Sequence, residues 1–165
     1  MVLKINSISS GSSGNCYILE NNKNNTREYY LVDCGISYCV LKNFCELHSI
    51  NMDLITHIFI THEHSDHIKG VKHLLKYHPC IITVISQDIE EHIFKELPNR
   101  ENYIVKFLEK SCSMNIDNSI EVFAFEVSHD CVNPLNFIFK DSQTQQRIGF
   151  FTDLGEFTMY HVQLA

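Results

Sequence analysis

Three absences narrow the function of this sequence before any motif is read. It has no apolar run of the length a membrane span needs. Its N-terminus, MVLKINSISSGSSGNCYILE, carries one early lysine but no long apolar stretch ahead of a small-residue cleavage site, so it does not read as a secretory signal. A cytoplasmic protein without membrane contact is the expectation. Basic residues are also in the minority, 13 against 20 acidic, for a formal charge of -7. No general polyanion footprint exists, and contact with nucleic acid would need a local patch or metal ions. The third absence is a paired-cysteine motif. Seven cysteines are present (Cys16, Cys34, Cys39, Cys45, Cys80, Cys112 and Cys131), an odd number with no CxxC spacing. They read as reduced, mostly buried small hydrophobes, not as a disulfide framework.

What is present fits one folded domain over residues 1–165, with 44% hydrophobic and 20% charged residues. No internal repeat is visible. Short segments rich in Ile, Val, Phe and Tyr predict strands at 2–8, 16–20, 29–33, 57–60, 81–85, 103–107, 119–127, 136–140 and 147–153. Helical spacing of apolar residues predicts helices at 40–50, 67–78 and 86–97, the last with Ser86 as its cap. The polar stretches NNKNNT (21–26) and DSQTQQ (141–146) read as hairpin tips. The order, strands first, then strand–helix alternation, then hairpins, predicts an α/β protein with mixed β-sheets and helices outside. The segment SSGSSGN (9–15) is a turn whose N–H groups and hydroxyls can approach an ion or an anion closely.

Chemistry concentrates in THEHSDH, residues 61–67. It follows the apolar run ITHIFI, at the step from a strand to a helix, where a rigid sheet presents a functional loop. Imidazole and carboxylate suit zinc, manganese or iron. His62, His64, Asp66 and His67 exceed the three protein ligands that one catalytic zinc usually takes, so two ions are the economical explanation.

THEHSDHIKG resembles the HxHxDH signature of the metallo-β-lactamase fold hydrolases. ISSGSSGNCYILE, YYLVDCGIS, ITHIFITHEHSDHIKGV, FEVSHDCVNPLNFIF and IGFFTDLG look like successive landmarks of its YycJ/WalJ branch, bacterial metallohydrolases associated with nuclease activity. The resemblance implies an αββα fold. It also implies that His62, His64 and His129 hold one ion and Asp66 and His67 the other, with Asp153 shared. Asp33 would support the motif loop by hydrogen bonding, and Glu63 would point away. Asp130 is expected to be structural. Asp66 is the family's candidate both as ligand and as orienter of the water.

Two zinc or manganese ions would polarise a phosphodiester and lower the pKa of a bound water. Nucleic acid is therefore the expected substrate. The competing readings are a thioester, lactone or other small-molecule hydrolase, and an inactive metal-binding fragment. A groove lined by Lys and Arg would favour nucleic acid, a closed apolar pocket the small ester.

The chain ends twelve residues after Asp153, where the resemblance implies further helix, strand and a final histidine. The expectation is thus an incomplete second half of the fold, one ion held better than the other, weak or no cleavage, and self-association through the unfinished edge. His161 sits too early to replace the missing ligand. Cys16 and Cys34, small residues in place of small residues, are expected to pack, and His48, His57, His73, His78, His92 and His161 match no motif position, so packing or solvent exposure is the expectation for them.

Overall fold

Residues 2–23 and 26–155 are described by the structure, a computed structural model. Strands β1 (Val2–Ser9), β2 (Cys16–Lys23) and β3 (Thr26–Val32) form an antiparallel meander. Strands β4 (Ile55–Phe59), β5 (Ile82–Ile85) and β6 (Val105–Phe107) then add in parallel, giving a six-stranded sheet in sequence order. A second, antiparallel sheet has four strands in the order β10-β9-β8-β7: β7 (Ser113–Asn115), β8 (Ile120–Glu126), β9 (Leu135–Asp141) and β10 (Arg147–Gly149).

The central strands of the first sheet are apolar on both faces because both faces are covered. Along β3, Tyr29 and Leu31 point toward a helical layer while Tyr30 and Val32 point toward the second sheet. The helical layer comprises α1 (Tyr38–Leu47), α2 (Ser65–Ile68), α3 (Val71–Tyr77) and α4 (Glu90–Phe94). Leu41, Cys45, Val71, Leu74, Leu75, Ile93 and Phe94 anchor it to the sheet. Between the sheets Phe59 meets Phe137 and Phe139 edge-on, with ring centroids 5.4 and 4.9 Å apart. A mixed sheet packed on an antiparallel one, with helices outside, is the architecture of an αββα sandwich. Among the described residues no helix is long and apolar enough to cross a membrane.

Several elements differ from the sequence expectation. The helix predicted at 67–78 is two helices, broken at Gly70. A side chain on Gly70 would put its Cβ 2.2 Å from the Ile36 carbonyl oxygen, and the Gly70 N–H donates to the Cys34 carbonyl at 2.7 Å. The chain there docks against the loop after β3 and cannot continue as one rod. The helix predicted at 86–97 shrinks to a 3-10 turn at Gln87–Ile89 followed by α4, and Ser86 is buried without capping it. Of the strand predicted at 147–153, only Arg147–Gly149 pairs, because Thr152 leaves the ladder to bond with Asn136. Strand β7 is polar and short, and carried no signal. The tip of the 21–26 hairpin and His161 lie outside the described residues.

Candidate metal centre

The motif loop leaves β4 and enters α2, and its base is fixed by a buried carboxylate. Asp33, fully buried and with φ of 58°, closes β3. Its Oδ1 accepts the Thr61 N–H at 2.8 Å, and its Oδ2 accepts the Thr61 hydroxyl at 2.9 Å and His67 Nδ1–H at 2.8 Å. The expected support of the loop by Asp33 is therefore a bond to both ends of the loop. Because Nδ1 of His67 is turned to Asp33, its Nε2 faces the other way, into the site. There it lies 2.8 Å from Asp153 Oδ2, 3.6 Å from Asp66 Oδ2 and 3.0 Å from Asn15 Nδ2. Burial works to lower the pKa of His67, but the carboxylates of Asp33, Asp153 and Asp66 outweigh it and raise the value. Burial likewise raises the Asp33 carboxyl, against its hydrogen bonds from His67 and Thr61.

A second clamp is made by glycine. A Cβ on Gly35 would come 1.5 Å from the Asp66 carbonyl oxygen, so only glycine lets the loop after β3 press on the motif. The turn at 9–15 closes over the same point. The Asn15 N–H donates to the Asp66 carbonyl at 2.7 Å, and the Asn15 carbonyl accepts from the Gly35 N–H at 2.8 Å.

The second sheet contributes its share through hydrogen bonds that cross between sheets. The Leu135 N–H donates to the Thr61 carbonyl at 2.9 Å, and the Glu63 carboxylate accepts the Val132 N–H at 3.0 Å. Glu63 thus holds the β8–β9 loop, which carries His129 and Cys131, against the motif. Asp153 is placed by the buried Asn136, whose side chain bonds both the N–H and the carbonyl of Thr152, at 3.1 and 2.9 Å. Gly155 adds a 2.9 Å bond to the Ser128 carbonyl.

These ties bring all six sequence-nominated residues to one end of the sandwich. The His62 ring lies 4.0 Å from the ring of His67, 4.7 Å from that of His64 and 4.9 Å from that of His129, between centroids. His64 Nδ1 and His129 Nε2 are 3.2 Å apart. Two groups, His62–His67–Asp153 and His62–His129–Cys131, each offer donor atoms that all lie within 4.8 Å of one another and can chelate a metal ion. His64 and Asp66 border these groups without belonging to either. Cys131 belongs to one and was not singled out by sequence; its only signal was its position two residues after His129.

The donor set fits a divalent cation. Imidazole nitrogen, carboxylate oxygen and thiol sulfur are its usual protein ligands. More pointedly, His62 is 1% exposed and its Nε2 is buried with no hydrogen-bond partner. Buried polar atoms are ordinarily paired, and an orphan of this kind calls for an occupant. Burial, followed by the neighbouring His67, His64 and His129, pushes the His62 pKa down to about 3. It is therefore a neutral imidazole with a lone pair to give. Burial and the carboxylates of Glu63, Asp153 and Asp130 push the Cys131 thiol up to about 12.

Beside the motif, between α3 and α4, runs an open groove of about 400 Å³ whose lining includes Glu63, Lys69, Lys72, His92, Lys95 and Glu96.

Comparison with known proteins bears on the fold that carries these residues. The family model described as Beta-lactamase superfamily domain matches residues 28–164. An exodeoxyribonuclease YycJ of Bacillus anthracis is 28% identical over 157 residues, covering 94% of this chain and 56% of the relative. An exodeoxyribonuclease WalJ of Streptococcus pneumoniae serotype 2 is 28% identical over 142 residues, covering 86% of this chain and 51% of the relative. The chain thus spans about half the length of the curated relatives it matches. Among solved structures, the short form of human tRNase Z superposes with a TM-score of 0.69 at 16% identity, covering 96% of this chain and 71% of that one. The metallo-β-lactamase fold protein YhfI from Bacillus subtilis does so with a TM-score of 0.69 at 13% identity, covering 90% and 62%.

Proposed function

The chain belongs to the β-lactamase superfamily domain family, and on that premise we propose that it is a metal-dependent phosphodiesterase, an exonuclease acting on nucleic acid. Its ligands would be His62, His64, Asp66, His67, His129 and Asp153. The observation that carries the reading is the orphaned Nε2 of His62 at the meeting point of the two donor groups. Similarity to two exodeoxyribonucleases over most of this chain supports DNA as the substrate class. The groove supports it physically: Lys69 and Lys95 put ammonium groups beside the motif, with Lys72 paired to Glu96 at 2.6 Å, in a chain whose overall charge is negative. A strand lying there would meet local positive charge on its way to the centre.

Zinc or manganese, one ion or two, would supply Lewis acidity and a water of lowered pKa. The chain's own residues do the rest. His67, its Nδ1–H fixed on Asp33, presents Nε2 in one orientation. Asp66, its carboxylate steadied by Asn15 Nδ2 at 3.4 Å, accepts a hydrogen bond from the attacking water and aims it. Asp153 sits 2.8 Å from His67 Nε2 and completes the donor group that His62 and His67 begin.

The test is release of nucleotides from an end-labelled DNA oligonucleotide with added manganese or zinc, by the wild type and by His62→Ala. Cleavage that disappears in the variant is the expected result. A wild type that hydrolyses a thioester or lactone but no oligonucleotide would overturn the substrate assignment, and equal cleavage by both proteins would overturn the site.

A further inference from the structure

Resting on the metal-centre reading, we propose that Cys131 Sγ is a ligand of the ion held by His62 and His129, and that it biases this position toward thiophilic divalent ions over manganese. The three donor atoms lie within 4.8 Å of one another. Around a tetrahedral zinc with bonds of about 2.0 Å to nitrogen and 2.3 Å to sulfur, neighbouring donors are roughly 3.5 Å apart.

Proximity alone would not distinguish a ligand from a filler, and three other observations do. The first is the buried His62 nitrogen without a partner, on the same group. The second is placement. Cys16, Cys34 and Cys45 are fully buried within the core beneath the helices, as small hydrophobes are, whereas Cys131 is half-buried and lies outside the core clusters. Among the described residues no other cysteine falls in a group of potential ligands. The third is the anchoring of its loop. The Cys131 N–H bonds the His129 carbonyl at 3.0 Å, and the next residue, Val132, is held by Glu63. Both donors from this loop are therefore presented together, and Glu63 is the residue that positions them.

The chemical consequence is selectivity. Imidazole and carboxylate accept manganese, cobalt, zinc and cadmium alike, while a thiolate favours the softer three. Binding would take Cys131 as the thiolate, its proton passing to solvent as the metal–sulfur bond forms.

Cobalt(II) is the probe. The full chain, Cys131→Ser, Cys131→Ala and His62→Ala are each titrated with cobalt under reducing conditions, with circular dichroism to confirm folding. The wild type should show visible d–d absorption together with a near-ultraviolet thiolate-to-cobalt charge-transfer band. Both Cys131 variants should keep the visible absorption and lose the charge-transfer band, and His62→Ala should lose both. In direct titrations cadmium affinity should fall by about tenfold or more in Cys131→Ser while manganese affinity stays the same. A charge-transfer band that survives in the Cys131 variants assigns the sulfur to another cysteine and overturns the proposal. Visible absorption without a charge-transfer band in the wild type overturns it too, but leaves the metal centre standing. A folded wild type that takes up no cobalt overturns both.

Discussion

Replacing Asp33 by asparagine should damage metal binding far more than folding. The two side chains have the same shape, and asparagine tolerates the left-handed φ of 58° at this position. The amide oxygen can take over the 2.8 Å bond from the Thr61 N–H, which is buried and costs about 1–3 kcal/mol if left unpaired. The Thr61 hydroxyl can rotate. What the amide cannot do is accept from His67 Nδ1–H with the nitrogen that replaces Oδ2, because that nitrogen is itself a donor.

His67 then satisfies its buried Nδ1 best by giving up the proton there and carrying it on Nε2, because the other acceptor, the Thr61 hydroxyl, is more distant at 3.2 Å. That tautomer points an N–H at Asp153, 2.8 Å away, and withdraws the lone pair an ion would need. Loss of such an orienting partner typically lowers metal affinity by about 10- to 100-fold. Stability should fall by only about 1–3 kcal/mol, the cost of one charge-assisted hydrogen bond. Asp33→Ala removes every acceptor at once and should cost about 3–5 kcal/mol, as expected when one partner of a buried charged pair is lost. Urea denaturation gives the stability difference, and calorimetric titration with zinc gives the affinity. Unchanged zinc affinity in a folded Asp33→Asn protein would refute the tautomer argument.

Other consequences are open to measurement. His57 is buried between Tyr30 and Phe59, and burial, followed by the charge of Lys106, pushes its pKa down to about 4. The unfolded chain takes up this proton near pH 6.5, so the contribution of neutral His57 is complete above that pH and is lost as the pH falls to about 4, on the order of 3 kcal/mol. Comparing urea midpoints at pH 7 and 4.5 should show a smaller acid loss for His57→Phe than for the wild type; equal losses would rule the assignment out. Gly35→Ala puts a Cβ into the Asp66 carbonyl and should cost about 3 kcal/mol or more, with an unshifted melting temperature as the contrary result. Glu63→Ala frees the Val132 N–H at a half-exposed site, so stability should change by less than about 1 kcal/mol while zinc affinity drops about tenfold. Equal affinities would mean the loop holds its place without Glu63.

What the sequence disclosed follows from how local each feature is. The strands β2 to β5 were legible because both their faces are buried, which writes them as runs of Ile, Val, Phe and Tyr. THEHSDH was legible because four candidate ligands sit within six residues. The single helix expected at 67–78 failed because nothing in that segment announces that Gly70 must press against Cys34 and Ile36, residues of a distant loop. Strand β7 failed because Ser113–Asn115 is polar and owes its conformation to pairing with β8. Cys131 and Glu63 escaped notice for the same reason at the site: each meets a residue 69 positions away, His62 and Val132 respectively, through a contact that no periodicity encodes.

The same distinction bears on how the centre is held together. The histidines of the motif and Asp33 belong to the first sheet, while His129, Cys131 and Asp153 arrive on the second. Their meeting depends on a few hydrogen bonds, Leu135 to Thr61, Val132 to Glu63 and Asn136 to Thr152, and on the aromatic layer of Phe59, Phe137 and Phe139 behind them. An ion bridging donors from both sheets would therefore act as a cross-link, favouring the packed pair over any state in which the sheets separate. By linkage that stabilisation equals RT ln(1 + [L]/Kd), about 2.7 kcal/mol at a hundredfold excess over Kd. Zinc should accordingly raise the melting temperature of the wild type. His62→Ala should abolish that increase, since His62 belongs to both donor groups. A zinc-induced shift that persists in His62→Ala would place the stabilising ion elsewhere and remove His62 from the centre.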